Sequence, residues 1–251
     1  MVDFVGAGCG AADLITVRGM RLMQSADVVI YAGSLVNQEL LGYAKEGCEI
    51  YNSAEMSLEE IIDIMNKAEL AGKHTVRLQT GDLSLFGALR EQADRLDALG
   101  IEYRITPGVS SMFGAAAALK AEYTLPSVSQ TVIITRMAGR TEVPDSESIE
   151  ALASHCATMV IFLSAGMTEE LSRRLIKGGY VPETPAAIVY KASWKDERVL
   201  RCTVGTLHET ASICGIKKTA LIIVGRVLGS DYELSKLYDK TFETEFRKAE
   251  K

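Results

Sequence analysis

Apolar and polar positions follow two different periods along this chain, and the changes of period mark its elements. Short apolar runs with strand character fall at Asp3–Gly6, Asp27–Tyr31, His74–Gln79 and Glu102–Ile105. Between them, Leu58–Leu70 and Leu83–Leu99 carry apolar residues at helical spacing. Each is closed by a glycine, Gly72 or Gly100, suited to a helix C-terminus. Gly114–Leu119 is small and apolar throughout, which predicts a buried helix packed close to its neighbours. Strands alternating with helices predict a largely parallel sheet.

The pattern changes at Glu122–Ser129, where Pro126 and a polar stretch suggest a link between domains. Beyond it, Gln130–Thr135, Thr158–Leu163, Ala186–Tyr190, Val199–Val204 and Thr219–Gly225 read as strands. Ser146–Ser154, Thr168–Lys177 and Gly205–Ala211 read as helices. Val199–Val204 follows Ala186–Tyr190 after a short loop, so an antiparallel hairpin and a mixed second sheet are expected. The fold class is therefore α/β with two α/β domains, 1–121 and 122–229. A charged tail, 230–251, is read as a surface helix.

The apolar run Phe4-Val5 enters a glycine turn, Gly6-Ala7-Gly8-Cys9-Gly10-Ala11, which fits the dinucleotide fingerprint G-x-G-x-x-G/A. Asp27 lies at about the right distance to be its ribose-binding acid. That acid must leave the second strand beside the turn, whereas Asp27 enters it at the other end. The residues that leave the strand are Ala32-Gly33-Ser34, none of them acidic. The turn is expected to bind a ligand other than NAD.

Two more such turns follow predicted strands, Thr80-Gly81-Asp82-Leu83-Ser84-Leu85-Phe86-Gly87 and Thr106-Pro107-Gly108-Val109-Ser110-Ser111. In a parallel sheet all three gather at the carboxyl edge, where open α/β folds bind ligands. One turn alone would be a tight connection; three on one edge point to a pocket. At Gly81 a branched side chain is expected to sit where backbone approaches the ligand, and so to be poorly tolerated. Asp82, the one acid in these turns, either caps the following helix or accepts hydrogen bonds from a ligand.

Composition narrows the chemistry. The chain has 251 residues, 47% hydrophobic and 24% charged, with a net charge of −6, which argues against nucleic acid as a partner. No apolar run is long enough for a bilayer, and the protein reads as cytoplasmic and off the membrane. The scattered, odd set of Cys9, Cys48, Cys156, Cys202 and Cys214 reads as reduced thiols. His74, His155 and His208 are isolated, and no metal site is expected.

The turns hold no phosphate-gripping lysine, no nucleophile elbow and no zinc helix. So few acids and bases suit a reaction whose reagents are already activated, such as methyl transfer from a sulfonium. There the protein has to align donor and nucleophile and exclude water. Acid-free stretches at Tyr123–Thr141, with Arg136 and Arg140, and at Thr184–Lys195, with Lys191 and Lys195, could together grip a carboxylate-rich ligand. Taken singly, each reads as an ordinary solvated charge.

Several segments resemble the tetrapyrrole (corrin and porphyrin) methylases over roughly Val2 to Leu228. They are Asp13-Leu14-Ile15-Thr16-Val17-Arg18-Gly19, Tyr31-Ala32-Gly33-Ser34-Leu35-Val36, Ser129-Gln130-Thr131-Val132-Ile133, Gly139-Arg140-Thr141 and Val189-Tyr190-Lys191-Ala192-Ser193-Trp194. The last three resemble the branch that methylates carbon 11 of a corrin precursor. The resemblance implies two α/β domains with S-adenosylmethionine in a cleft between them, usually in a homodimer. It implies cofactor contacts at Cys9, Thr80, Gly81, Asp82, Leu85, Ser110, Ser111, Leu163, Ala192, Thr219 and Ala220. A small tetrapyrrole substrate would meet Gly8, Tyr31 and Ser34. Arg136, Arg140 and Lys191 are added as its carboxylate partners on charge alone. No catalytic side chain is implied, because a conjugated ring carbon is itself the nucleophile.

The family usually reads G-x-G-P-G-D-P in the first turn; here Cys9, Ala11 and Ala12 stand in place of the proline and the Asp-Pro. Leu83 replaces the proline of a later G-D-P. Ala32-Gly33 replaces the aspartate that follows this tyrosine in relatives acting on uroporphyrinogen. The implied activity is C-methylation of a corrin precursor in cobalamin synthesis. The alternatives are methylation of another ring carbon, or a non-catalytic nucleotide- or tetrapyrrole-binding protein.

Overall fold

The computed structural model describes residues 1–235 and 239–249, the side chain of Ser34 excepted. The chain divides into two compact units. One is Met1–Ala115 with Lys191–Glu197; the other is Ala116–Tyr190 with the chain from Arg198 onward. The excursion of Lys191–Glu197 into the first unit has no counterpart in the boundaries expected from sequence.

The first unit is built on β1 (Val2–Gly6), β2 (Val28–Tyr31), β3 (Glu49–Asn52), β4 (Thr75–Gln79) and β5 (Tyr103–Thr106). They are ordered β3-β2-β4-β1-β5 and are parallel throughout. β1, β2 and β4 are buried along their whole length, as a parallel sheet covered on both faces requires. Val5, Val29, Val76 and Leu78 pack on one face with Met23 and Leu40; Phe4 and Ile30 pack on the other with Met65 and Leu96. The helices are α1 (Val17–Ser25), α2 (Leu58–Leu70), α3 (Leu89–Leu99) and α4 (Ser111–Leu119). α2 opens on a capping box, in which Ser57 accepts from Glu60 N–H and the Glu60 side chain accepts from Ser57 N–H.

Three differences from the expected elements have local causes. β3 is a largely exposed edge strand, so it lacks the apolar alternation that marks a buried one. α1 was not expected; Thr16 caps it by accepting from Gly19 N–H at 3.1 Å. The helix expected from Leu83 begins only at Leu89, because Phe86 and Ala88 are left-handed, at φ 55° and 48°. Leu83 is nevertheless buried in the α2–α3 core. Apolar spacing found the right side chain but assigned it to a helix instead of a loop.

The second unit carries β6 (Val132–Arg136), β7 (Thr158–Phe162), β8 (Pro185–Tyr190), β9 (Arg198–Thr203) and β10 (Ala220–Val224), ordered β6-β7-β10-β8-β9. β6 and β7 are parallel and the other pairs antiparallel, including the β8–β9 hairpin, so the sheet is mixed. Helices α5 (Ile149–Ala153), α6 (Thr168–Gly178) and α7 (Leu207–Ile213) cover a core centred on Met159, Ile161, Ile188 and Ile222. The expected surface helix over 230–251 is not formed among the described residues, which hold only turns and bends there. Lys236–Tyr238 and Glu250–Lys251 lie outside the description. Leu234 and Phe246 are 81% and 97% exposed, so these apolar side chains contribute no buried face to hold such a helix.

Among the described residues no helix is long and apolar enough to cross a membrane. No group of three or more His, Cys, Asp or Glu residues there is placed to hold a metal ion.

Candidate functional site

β1, β4 and β5 end side by side in the first unit, and their turns meet as bare backbone. Gly8 and Gly81 pair across the edge: Gly81 N–H donates to Gly8 O at 3.0 Å, and Gly8 N–H to Gly81 O at 3.3 Å. A Cβ on Gly6 would lie 2.6 Å from Gly108 Cα and 2.7 Å from Gly81 O. A Cβ on Gly108 would lie 2.7 Å from Gly6 Cα and would overlap Gly81 O. These are backbone atoms with nowhere to move. Gly81 differs: its Cβ would meet Ser110 Cα and Ser111 N at an ordinary 3.7 Å, and its φ of +63° is what favours glycine there. Protein atoms close the space at Gly6 and Gly108, whereas at Gly81 it is the left-handed backbone that strains a side chain.

Asp82 ties two of the turns together. Its Oδ2 accepts from Gly108 N–H at 2.8 Å, and its Oδ1 accepts from Ser84 N–H at 2.9 Å and from the Ser84 hydroxyl. Partial burial pushes the carboxyl up, but those bonds from Ser84 and Gly108 outweigh it and hold it below the usual carboxylate range. The reading of Asp82 as a helix cap does not fit, since α3 starts seven residues later. The carboxylate is already occupied in fixing the turns. Asp27 is at the opposite edge of the sheet, where it accepts from His74 N–H at 2.8 Å and pairs with Lys45 at 2.6 Å.

The first turn is covered by Lys191–Glu197. Ser193 Oγ accepts from Ala11 N–H at 2.9 Å and lies 3.4 Å from Cys9 Sγ. A Cβ on Gly10 would come within 2.5 Å of Ala192 O and of Trp194 Nε1, so the indole edge rests on the turn. A Cβ on Gly114 would meet Cys9 Sγ at 3.0 Å and Ala192 Cβ at 3.4 Å. Lys195 pairs with Glu39, and Asn37 Nδ2 donates to Gly10 O at 3.0 Å. Ser193 and the Gly6–Gly108 contact were not anticipated. Local periodicity carries no sign that residues from a later hairpin pack here; only the resemblance set Ala192 in one site with Cys9.

The structure thus brings Cys9, Gly81, Ser110, Ser111 and Ala192 together, with Thr80 and Asp82 in the same turn and Leu85 further along it. In the second unit, Leu163 follows β7 and Thr219-Ala220 enters β10. They lie at one sheet edge, since Ala220 pairs with Tyr190 and Ile222 with Ile161. Leu163 and Thr219 are both left-handed, at φ 53° and 57°. For a β-branched threonine this is a backbone outlier, of the kind that collects at ligand sites. Leu163 is also 65% exposed, unusual for a leucine beside a strand end.

The residues expected to meet a substrate differ in how committed they are. Gly8 is held in the paired turns, and Tyr31 is buried with its carbonyl accepting from Ser53 Oγ at 3.0 Å. Ser34 lies in the 3-10 turn Gly33–Leu35, its side chain outside the description. Arg136 donates to the carbonyls of Met137, Thr141 and Glu142 at 2.8–3.2 Å, so it braces its own loop. Lys191 pairs with Asp196 at 2.6 Å and lies 5.4 Å from the Trp194 ring centre. Arg140 is exposed, with no hydrogen bond or ion pair among the described residues.

A family model described as tetrapyrrole (corrin/porphyrin) methylases matches residues 1–208. A cobalt-precorrin-4 C(11)-methyltransferase of Methanocaldococcus jannaschii is 56% identical over 251 residues, covering 100% of this chain and 97% of its own. The solved X-ray structure of a cobalt precorrin-4 methyltransferase, a cobalamin biosynthetic enzyme, superposes with a TM-score of 0.89 at 44% identity. That match covers 91% of this chain and 96% of the other. A uroporphyrin-III C-methyltransferase of Thermus thermophilus, solved with S-adenosylhomocysteine, gives 0.73 at 26% identity over 90% and 92% of the two chains.

Proposed function

The chain belongs to the tetrapyrrole (corrin/porphyrin) methylases, and from that premise we propose that it methylates carbon 11 of precorrin-4 or cobalt-precorrin-4 in cobalamin synthesis. The observation that carries this reading is 56% identity across the whole chain to an enzyme of that name. The methyl donor in the proposal is S-adenosylmethionine, supported by the complex of a more distant relative with the demethylated product.

The first unit's turns fit such a ligand. Gly6 and Gly108 let the backbones of the three turns pack directly on one another, which gathers the turns on one edge. Gln79, buried at the last position of β4, has an Oε1 with no hydrogen-bond partner, an acceptor waiting for a donor. Cys9, Thr80, Gly81, Asp82, Leu85, Ser110, Ser111 and Ala192 are the contacts we assign there. Leu163, Thr219 and Ala220 are assigned in the second unit, on the strength of its strained edge.

When bound, the donor supplies a sulfonium methyl with a good leaving group. The protein's part is then binding and alignment. The paired backbones of Gly8 and Gly81 fix the floor, the Asp82 bonds fix the spacing to Gly108, and Trp194 over Gly10 keeps water from the first turn. No side chain at these turns is placed as a general base, and none is needed to make a conjugated ring carbon nucleophilic. Arg140 is the cation we assign to a substrate carboxylate, and the same family membership supports a homodimer.

The test is an assay of the purified protein with labelled S-adenosylmethionine against metal-free and cobalt-loaded precorrin-4. Transfer of one methyl group to carbon 11 is expected, and the better substrate settles the metal state. Binding of the ring without label transfer would instead establish a carrier.

A further inference from the structure

Arg77 is the one cation in the first unit's strands that is buried without an acid. It lies on the α2–α3 face of β4, 5% exposed. Its Nε donates to Gln92 Oε1 at 2.9 Å and its Nη1 to Ile30 O at 3.2 Å. Burial pulls the guanidinium down to about 10, which leaves it charged at neutral pH. A buried cation held only by an amide and a carbonyl costs more than an apolar side chain of the same shape. It needs a reason other than stability.

Gln92 supplies one. Itself 3% exposed, it accepts from Arg77 and donates through Nε2 to Ala88 O at 3.0 Å. Ala88 is the left-handed residue at which the Thr80–Gly87 turn passes into α3. The turn is therefore fastened at both ends. Asp82 bonds to Gly108 at its start, and Gln92, oriented by Arg77, bonds to Ala88 at its finish. We infer that Arg77 and Gln92 are positioning residues, which hold the exit of the Thr80–Ala88 turn in the shape that receives the methyl donor. This rests on the proposed role of that turn in binding the donor.

Gln92→Glu separates positioning from packing. Glutamate still accepts from Arg77 and converts the contact to an ion pair, but it cannot donate to the Ala88 carbonyl. The expected variant melts no lower than the parent protein. Its amides from Leu85 to Leu89 exchange about tenfold faster without ligand, and S-adenosylhomocysteine binds about tenfold more weakly, the scale of one lost buried hydrogen bond. Arg77→Met, which removes the anchor and leaves the donor, should loosen the same amides. Unchanged exchange there in both variants overturns the inference, and so does faster exchange with unaltered affinity. If the parent protein fails to bind S-adenosylhomocysteine, the donor assignment falls, while ligand-free exchange still decides whether the relay exists.

Discussion

The two edges of the parallel sheet are built on opposite principles. At the amino edge, acids and bases meet: Asp3, 1% exposed, accepts from Arg104 Nε and Nη2 at 3.2 and 3.1 Å and lies 2.7 Å from His74 Nε2. Asp27 pairs with Lys45 beside it. At the carboxyl edge the turns after β1, β4 and β5 are largely glycine and backbone, and the single acid within them, Asp82, is spent on neighbouring N–H groups. One edge satisfies itself, and the other leaves backbone and a buried Gln79 oxygen for something else to meet. Holding the buried Asp3 and its partners at the far edge staples the sheet without placing a charge inside the three turns.

If that division is right, the largest effect should come from filling the backbone contact. In Gly108→Ala the new methyl would overlap Gly81 O and press on Gly6 Cα at 2.7 Å. Overpacking costs about 1–3 kcal/mol even where side chains can yield, and here only backbone is available. The variant should lose about 3 kcal/mol or more in denaturant unfolding, and S-adenosylhomocysteine binding should be undetectable by calorimetry. A stable variant with parental affinity would mean the three turns do not share a site.

The amino edge should give the converse. Asp3→Ala leaves His74 and Arg104 without their shared acid, a loss of about 2–3 kcal/mol, since Arg104 can turn to solvent while His74 is mostly buried. Ligand affinity should stay within about twofold, because the staple and the turns are at opposite ends of the strands. A fall in affinity matching the fall in stability would erase the distinction between the edges.

Sequence and structure part at identifiable residues. Alternating periods located the turns after β1, β4 and β5, because strands buried on both faces have unmistakable apolar runs. They also placed Asp27 at the wrong edge for a dinucleotide. Periodicity could not see that Gly87 lies against the Leu83 backbone, 3.1 Å from Leu83 C to its would-be Cβ, so a helix was expected where a loop forms. Nor could it see Lys191–Glu197 joining the first unit, since nothing local in those residues encodes a contact with Gly10 or Ala11. Charge counting treated Arg136 and Arg140 as equals, although three backbone carbonyls already claim the first.

That inequality gives a smaller effect to measure. Arg140→Ala removes an exposed, uncommitted guanidinium, and one charge-assisted hydrogen bond to a substrate carboxylate is worth about 1.5–3 kcal/mol. The apparent substrate constant should rise about tenfold, with donor affinity unchanged and the effect shrinking at high salt. Arg136→Ala should act through its loop, by lowering thermal stability first. Equal and purely kinetic effects of the two variants would restore the charge-only reading.

The smallest effect is a pH dependence carried by Asp82. Its folded carboxyl is held below the ordinary value of 3.8 by bonds from Ser84 and Gly108. The stabilisation it supplies is therefore complete at neutral pH and lost as pH falls through that lowered value. Asp27, Glu49, Glu60 and Glu170 are lowered as well, so acid unfolding of the parent alone cannot isolate it. The difference between the parent protein and Asp82→Asn can. Because the carboxylate is partly solvated, that difference should be only about 0.5–1 kcal/mol at pH 7. It should shrink as the solution is acidified below the ordinary carboxylate range, where the parent carboxyl itself becomes protonated. S-adenosylhomocysteine affinity should weaken over the same window in the parent and stay flat in the variant, because only the parent loses its charged link to Gly108. A stability difference that is constant, or that widens as the solution is acidified, would show that Asp82 does not hold the turns through its charge.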